Sequence, residues 1–475
     1  MLTLAHFFKT LLGEDTAMGQ ATSVSDVVTD SRDAQMGSLF VALPGEKVDG
    51  HDFVADAFAR GSVAALVERP VGDYPVVDLR QGRVELPTAE IPIPVCLIVV
   101  DVLAALQAAA KAWRLQFSTR IIGITGSVGK TSTKELTYSV LSQRYRTLKS
   151  PGNKNSIIGL PPVLLALRPE HERAVFEMSM YVQGEIARLC ELALPVVGVV
   201  TIIGPVHLER AGSMEAIVAA KQELVEALPV DGVAVLNKDD ERVMSMAAHT
   251  PALIFTYGLD DSADLWADSI HSMGLDGMRF TLHYGDESLH VQVPLIGRHS
   301  VHTALRAAAV GLIEGLTWEE IIAGLQATTA AQLRLVAAPG PRGSVIIDDT
   351  YNASPDSTLA ALNLLADLDG RRVAVLGDML ELGYMEEEGH RIVGRRAADV
   401  AQLLVAVGSR AYWIGEEALA VGMNPQQVFI VDSTEEAIPL LERLIEADDF
   451  ILVKGSLGMR MDRIVAALGR DGVIE

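Results

Sequence analysis

The feature that most constrains this chain is a glycine-rich loop between a short apolar run and a helix-forming segment. Residues 121–124 are apolar and predict a buried strand, and residues 126–132 then read Gly-Ser-Val-Gly-Lys-Thr-Ser. Residues 130–141 have the composition of a helix. Glycines let backbone N–H groups turn towards an anion, and a helix N-terminus adds the positive end of its dipole. The segment therefore predicts a phosphate-binding loop.

Lys130 and Thr131 close this loop with the side chains that a nucleotide site needs. The lysine of such a loop reaches the β- and γ-phosphates, and the hydroxyl lies on Mg²⁺. The strict G-x-x-x-x-G-K-[ST] pattern is not met, because Ile124 occupies its first glycine position; the chain reads T-G-x-x-G-K-T-S. An ordinary glycine-rich turn is the alternative, but the strand–loop–helix context favours nucleotide binding. The predicted nucleotide contacts are Gly126, Ser127, Val128, Gly129, Lys130, Thr131 and Ser132.

Length, composition and charge limit the class of protein that carries this loop. At 475 residues the chain is too long for one core, and 49% hydrophobic with 5% aromatic residues is typical of Ala/Val/Leu-rich α/β layers. A net charge of -23 argues against non-specific binding of nucleic acid or anionic membranes. Cys96 and Cys190 lie in apolar segments and predict small core residues, without a disulfide framework. The first residues lack a signal-peptide pattern, and no apolar run approaches the ~18 residues of a membrane span, so we expect a cytoplasmic protein.

The pattern along the chain predicts an α/β protein with three domains. A small α/β domain covers residues 1–98, with a polar, turn-rich linker at 81–94. A central ATPase-type parallel sheet that carries the phosphate loop covers residues 99–333. In residues 334–475, short apolar strands alternate with helical patterns, which predicts a Rossmann-like, doubly wound sheet.

Two polar residues follow predicted strands of the central domain. Glu177 lies near the end of strand 174–178, and His207 follows strand 196–203. Groups at the carboxyl ends of parallel strands converge on the ligand crevice, so we expect both near the phosphates. Ser213 then caps a helix that contains Lys221. From its sequence position alone, Lys221 is predicted to be a solvated side chain. His207 alone is predicted to be a structural residue.

Together these segments resemble the ATP-dependent Mur ligases of peptidoglycan synthesis. The resemblance runs from Asp30-Ser31-Arg32 to Lys454-Gly455-Ser456 and thus covers nearly the whole chain. T-G-x-x-G-K-T-S is common to Mur-type ligases and, more loosely, to folylpolyglutamate synthase. More specific are residues 37–53, Asp-Asp-Thr-Tyr-Asn-Ala-Ser-Pro-Asp at 348–356 and Leu-Gly-Asp-Met-Leu-Glu-Leu-Gly at 376–383. The Asp-Asn-Pro-Arg signature that often marks the member adding the third peptide residue is not in this sequence.

The resemblance implies an enzyme that uses ATP and Mg²⁺ to join D-alanyl-D-alanine to UDP-N-acetylmuramoyl-tripeptide. ATP would phosphorylate the substrate carboxylate, and the dipeptide amine would attack the acyl phosphate through a tetrahedral intermediate. This chemistry is reasonable, because a carboxylate is a poor electrophile until its oxygen becomes part of a phosphate leaving group. The charged phosphate oxygens must also be neutralised by metal ions and cationic side chains. The first domain would hold the UDP end, the central one ATP and the third the dipeptide. No nucleic acid, no membrane insertion and a monomer are expected.

The resemblance also implies roles for single residues. Thr131 and Glu177 would hold one Mg²⁺, and His207 with a carbamylated Lys221 a second. Lys130, Lys221, His207 and Arg334 would act in catalysis, with Arg334 on the γ-phosphate. The further nucleotide contacts would be Asn155, His299 and Asp349, the last on the ribose. Ser31, Arg32 and Lys47 would bind the UDP precursor, and Asn352 and Asp378 the dipeptide.

Four residues depart from the family pattern. Ser300 and Thr303 stand where two asparagines usually lie close to the adenine. Ser354 replaces the asparagine of Ala-Asn-Pro, and Leu457 replaces the arginine of Lys-Gly-Ser-Arg. We therefore expect a higher KM for ATP and weaker discrimination between ATP and GTP. Two other functions remain open: a Mur-like ligase with another acceptor, of the folylpolyglutamate or cyanophycin kind, and a non-catalytic nucleotide-binding homologue. The sequence does not distinguish diaminopimelate from lysine at the third peptide position.

Overall fold

A computed structural model describes residues 1–13, 19–45, 48–80, 91–206, 208–327 and 336–469. The α-helices are α1 Leu4–Leu12, α2 Val54–Ala59, α3 Val102–Arg114, α4 Lys130–Leu141, α5 Leu160–Leu165, α6 Glu185–Ala193, α7 Leu208–Ala211, α8 Met214–Glu226, α9 Glu241–Ser245, α10 Ser300–Ile313, α11 Trp318–Ala327, α12 Pro355–Ala366, α13 Glu386–Val400, α14 Tyr412–Ala420, α15 Thr434–Leu444 and α16 Asp462–Gly469.

The strands alternate with these helices over much of the chain. They are β1 Val27–Val28, β2 Leu39–Val41, β3 Ala64–Val67, β4 Val76–Asp78, β5 Val95–Ile98, β6 Arg120–Thr125, β7 Thr147–Lys149, β8 Arg173–Glu177, β9 Val197–Val200, β10 Val233–Asn237, β11 Leu253–Gly258, β12 Leu265–Ser272, β13 Met278–Tyr284, β14 Glu287–Val293, β15 Val336–Pro339, β16 Val345–Asp349, β17 Arg372–Gly377, β18 Leu403–Val407, β19 Val428–Val431 and β20 Phe450–Lys454. The predicted α/β class is confirmed.

The chain divides into two compact units, which do not follow the sequence as single blocks. The first contains residues 1–121, 146–178 and 187–195, and the second contains residues 122–145, 179–186 and 196–475. In the first unit, a sheet of order β1-β2-β3-β5-β4 has parallel neighbours throughout. Strands β7 and β8 of this unit also pair in parallel.

The second unit carries the phosphate loop on a sheet whose strands run in the order β14-β13-β12-β11-β10-β9-β6. Strands β6, β9, β10 and β11 are parallel neighbours, whereas β12, β13 and β14 pair antiparallel with one another. The residues of β13 and β14 alternate between apolar and polar, as is typical of an antiparallel sheet that faces water on one side. The parallel strands are buried runs that carry the loop at their carboxyl ends.

The C-terminal sheet of the second unit has the order β15-β16-β20-β17-β18-β19. All neighbours are parallel except β15, which is an antiparallel edge strand. Apolar side chains of helices α12, α13 and α14 cover one face, and those of α15 and α16 cover the other. This is the predicted doubly wound arrangement, in which ligands bind outside the carboxyl ends of the central strands.

No helix in the described part of the chain combines the length and the apolar character needed to cross a bilayer.

Candidate active site

The phosphate loop between β6 and α4 has the backbone conformation that its glycines require. Gly126 has φ 142 and Gly129 has φ 84, both in the region that side chains rarely adopt. A Cβ on Gly126 would also lie 1.8 Å from Thr201 Oγ1. Thr201 in turn donates to the Val128 carbonyl at 2.7 Å, which fixes the loop against the end of β9. The loop is therefore held in one shape by its neighbours.

Ser127 and Lys130 add further internal bonds to the loop. The Ser127 hydroxyl donates to the carbonyl of Gly204 and accepts from its N–H, both at 2.9 Å. The Lys130 ammonium donates to the carbonyls of Gly126 at 2.8 Å and Ser127 at 3.1 Å. The lysine thus lies over the loop, where a bound polyphosphate would compete for its N–H groups.

A cavity of about 930 Å³ opens above this loop within the second unit. Its volume is near the upper end of the range typical for ligand sites, roughly 300–1,000 Å³. The central segments contribute the loop, the ends of β9 and β10 and the first turn of α10, while the C-terminal segments contribute the ends of β16 and β20 and the start of α12. Among the predicted residues, Ser127, Val128, Gly129, Lys130, Thr131, Ser132, His299, Asp349 and Asn352 line it.

His299 is a neutral imidazole at the wall of this cavity. Burial lowers the pKa of His299 to about 4, and the nearby charges of Arg306 and Lys454 act in the same direction. At neutral pH the ring therefore carries one N–H donor and one acceptor nitrogen, and it adds no charge. Such a ring can orient a ligand by hydrogen bonds.

Lys221 lies in the core of the second unit, contrary to the solvated side chain that its sequence position alone indicated. It is on α8, whose N-cap Ser213 accepts the Ala216 N–H at 3.1 Å, as predicted. Only 2% of Lys221 is exposed. Burial, reinforced by the charge of Lys130, holds the pKa of Lys221 well below its usual value. Burial thus disfavours the ammonium relative to the neutral amine, which is the form that reacts with CO₂ to give a carbamate.

Glu177 and Asn155 belong to the first unit. The Asn155 amide donates to the Glu177 carboxylate at 2.9 Å, and the Glu177 N–H donates to Ser150 Oγ at 3.3 Å. Glu177 is 1% exposed at the end of β8. A buried, oriented carboxylate oxygen is a ligand that Mg²⁺ prefers. Its chemistry fits the predicted metal role.

Ser31 and Arg32, also of the first unit, form a short helical turn after β1. Ser31 is buried, whereas the Arg32 side chain is 80% exposed. Arg32 donates from Nε and Nη2 to the Asp30 carboxylate at 2.9 and 2.6 Å, and these bonds lower the pKa of Asp30 to about 2. The guanidinium is thus oriented by Asp30 while most of its surface faces water.

Asp378 and Asn352 differ in their surroundings. Asp378 follows β17, is 3% exposed and accepts the N–H groups of Arg410 at 3.0 Å and Ala411 at 2.7 Å, so its carboxylate holds a turn. It does not line the cavity described above. Asn352 is exposed at the cavity wall, and its backbone carbonyl accepts from Lys454 at 2.9 Å.

Some predicted residues cannot be placed, and some cavity residues were not predicted. His207, Arg334 and Lys47 lie outside the described residues. The unpredicted cavity residues include His302 and Asp239, which bond to each other at 2.7 Å, and Lys454, which bonds to the predicted Asp349 at 2.6 Å. Another unpredicted cavity residue is Arg306, on the second turn of α10. Lys454 had a signal, because it directly follows the apolar run 450–453; Arg306, in an Ala-rich helix, had none.

Comparisons with known proteins give three consecutive family matches. The Mur ligase family catalytic domain matches residues 23–114, the Mur ligase middle domain residues 124–311, and the Mur ligase glutamate ligase domain residues 333–457.

Full-length relatives agree with these matches. The UDP-N-acetylmuramoyl-tripeptide–D-alanyl-D-alanine ligase of Escherichia coli is 37% identical over 478 residues, covering 99% of both chains, and that of Bacillus subtilis is 34% identical over 452 residues, covering 94% of both.

Solved structures show the same architecture. A structure of MurF from Acinetobacter baumannii has a TM-score of 0.83 at 31% identity and covers 98% of both chains. A MurF ligase from Thermotoga maritima in complex with ADP has a TM-score of 0.78 at 25% identity, covering 95% of this chain and 98% of that one. This chain therefore belongs to the Mur ligase family and is, with the rest of that family, a three-domain ATP-dependent ligase.

Proposed function

We propose that this chain joins D-alanyl-D-alanine to UDP-N-acetylmuramoyl-tripeptide in peptidoglycan precursor synthesis, with release of ADP and phosphate. The observation that carries the proposal is the cavity in which a phosphate loop faces residues of the C-terminal segments. The names of relatives that match almost the full chain at 34 and 37% identity support the choice of substrates.

The proposed division of labour follows the three domains, residues 1–98, 99–333 and 334–475. Ser31, Arg32 and Lys47 bind the UDP precursor, and Asn352 and Asp378 belong to the dipeptide site. ATP lies in the cavity, on the loop residues, with Asn155, His299 and Asp349 as further contacts. Lys130 and Arg334 stabilise the charge on the transferred phosphoryl group. The reaction proceeds through an acyl phosphate, which the dipeptide amine attacks.

Mg²⁺ is the metal we propose, because the Thr131 hydroxyl and the Glu177 carboxylate are the oxygen donors that it prefers. Thr131 and Glu177 would hold one ion, and His207 with a carbamylated Lys221 a second. When bound, the ions would neutralise phosphate charge. For Lys221 the support is physical: burial disfavours its ammonium, and a carbamate would place a compensating negative charge near Lys130. Carbamylation would thus replace the repulsion between the Lys221 and Lys130 ammonium groups by an attraction.

We further propose that the protein is a cytoplasmic monomer, because both ATP and UDP-linked sugars are cytoplasmic and the site is formed within one chain. Sedimentation of the purified protein tests its oligomeric state.

The direct test of function measures phosphate release with ATP, UDP-N-acetylmuramoyl-tripeptide and D-alanyl-D-alanine. We expect release that requires all three substrates, with a product heavier than the tripeptide precursor by one D-alanyl-D-alanine minus water. Tripeptides ending in diaminopimelate and in lysine are compared. Glutamate-dependent release with a folate acceptor would instead indicate a folylpolyglutamate-type ligase, and absence of release with retained ADP binding would indicate a non-catalytic homologue.

A further inference from the structure

Arg306 is a buried cation that has no negative partner among the described residues. The residue is 4% exposed on α10 and lines the cavity. Its Nη2 donates to Thr303 Oγ1 at 2.8 Å, and its Nε has no acceptor among the described residues. No carboxylate of the described residues forms an ion pair with Arg306. Buried charges are normally paired, so this arrangement calls for an explanation.

The neighbours of Arg306 do not supply the missing charge. The Tyr257 ring centroid lies 5.8 Å from the guanidinium carbon, but burial raises the pKa of Tyr257 to about 12, so its hydroxyl stays neutral. The cavity carboxylate of Asp239 is engaged by His302 at 2.7 Å and by the Leu259 N–H at 2.9 Å. A negative group must therefore come from outside the described protein atoms.

The guanidinium lies directly beside the phosphate loop. A Cβ built on Gly129 would be 3.3 Å from Arg306 Nη2, 3.5 Å from Nη1 and 3.7 Å from Cζ. Gly129 is the residue from which α4 begins, where backbone N–H groups and the helix dipole favour an anion. An arginine adds a planar set of donors suited to phosphate oxygens.

We propose that Arg306 is a phosphate-binding residue of the nucleotide site, held beside Gly129 by its bond to Thr303. Its N–H donors contact oxygens of the nucleotide's polyphosphate, which supplies the negative charge that the described residues do not. The inference rests on the proposed function in one respect, that the cavity takes a nucleotide. Arg306 would then be a third cation of the phosphate site, besides Lys130 and Arg334.

The test compares Arg306→Met with Arg306→Lys, using Arg279→Met on the exposed face of β13 as the control. Titration calorimetry measures the Kd of ADP and of GDP for the full chain. Loss of a buried, charge-assisted bond should weaken binding of both nucleotides by about ten- to a hundredfold in Arg306→Met. Arg306→Lys should recover much of this loss, and Arg279→Met should show none.

Thermal unfolding without nucleotide separates this role from a structural one. Removing an uncompensated buried charge should leave the Tm of Arg306→Met equal or higher, whereas loss of a structural contact lowers it. Unchanged Kd values in Arg306→Met, or a loss confined to one purine, would overturn the inference. If the unaltered protein binds neither nucleotide, both the proposed function and the role of Arg306 are wrong. If the unaltered protein and Arg306→Met bind nucleotides equally well, only the role of Arg306 is wrong.

Discussion

The Lys454 ammonium donates to the Asp349 carboxylate at 2.6 Å and thereby joins the ends of neighbouring parallel strands, β20 and β16. Lys454 is 2% exposed, and it also donates to the Asn352 carbonyl at 2.9 Å. One lysine thus fixes both a predicted ribose ligand and the turn that follows it. The pair is part of the cavity wall as well as of the sheet.

Lys454→Met is expected to destabilise the fold, because it removes the ammonium that neutralises the buried Asp349 carboxylate. Breaking a buried pair from one side costs about 3–5 kcal/mol. Urea unfolding measures the loss, and adding Asp349→Asn should recover part of it. Arg460→Met, which breaks the exposed Arg460–Asp462 pair, is the control and should change stability little. Equal, small effects of both variants would contradict a stabilising role of Lys454.

Lys130→Ala is expected to abolish turnover and to leave the fold intact. The lysine is only partly buried, and its bonds to the Gly126 and Ser127 carbonyls join residues of one loop. Loss of such a cation should reduce kcat by about two decades or more, by analogy with other electrostatic stabilisers. Phosphate release and circular dichroism are measured on the variant and on Lys238→Ala, an exposed control. Near-normal ligation by folded Lys130→Ala would disprove the phosphate-loop role.

Lys221 should make stability depend on pH and on bicarbonate. Its pKa is lowered in the folded protein, so between that value and its usual one the unfolded chain binds one more proton. The free energy of unfolding then rises with pH, by up to about 1.4 kcal/mol per unit. Lys221→Met should flatten this rise and increase the Tm near pH 7.5 in bicarbonate-free buffer. Bicarbonate should stabilise the unaltered protein and not the variant.

The same residue gives a test by activity and by spectroscopy. Lys221→Ala should be inactive and partly rescued by acetate or formate, and ¹³C-bicarbonate should give a carbamate resonance only in the unaltered protein. Full activity of Lys221→Ala, or no carbamate signal in an active enzyme, would contradict the second metal site.

Arg32→Ala should raise the KM for the UDP-linked tripeptide and leave the KM for ATP nearly unchanged. Its exposed guanidinium faces water while Asp30 orients it, as a phosphate ligand requires. Arg80 is a matched control, since it makes the same bonds to the carboxylate two residues before it, at 2.9 and 2.6 Å. Steady-state kinetics on both variants decide the matter; equal effects on the two substrates would exclude a dedicated site in the first domain.

The regular elements were predictable from sequence because their apolar periodicity is strong. Helix α4 occupies its predicted residues, and β6 extends its prediction by one residue at each end. The phosphate loop was predictable because its glycines are required by backbone shape. Lys221 was not: a lysine on a helix usually faces solvent, and its burial depends on distant packing. Arg306 was missed for the same reason, since its partner Thr303 is local but Gly129 is far away in the sequence.

The last prediction concerns the two positions where the family usually has asparagines. The Ser300 hydroxyl donates to the Ile296 carbonyl at 2.7 Å, and Thr303 accepts from Arg306. Both hydroxyls therefore already serve the protein, and neither offers the combined donor and acceptor of an amide. Ser300→Asn with Thr303→Asn should tighten ATP binding relative to GTP by about a decade, the value of roughly one hydrogen bond.

A second variant distinguishes base recognition from phosphate binding at this helix. Thr303→Val keeps the shape of the side chain but removes the acceptor for Arg306, so it should weaken ADP and GDP binding equally. The asparagine pair should instead change the ratio of the two affinities, because only an amide matches the adenine edge, an acceptor nitrogen beside an amino donor. Titration of both variants with both nucleotides measures these effects. An unchanged ATP/GTP ratio in the asparagine pair would mean that the adenine is recognised elsewhere in the cavity.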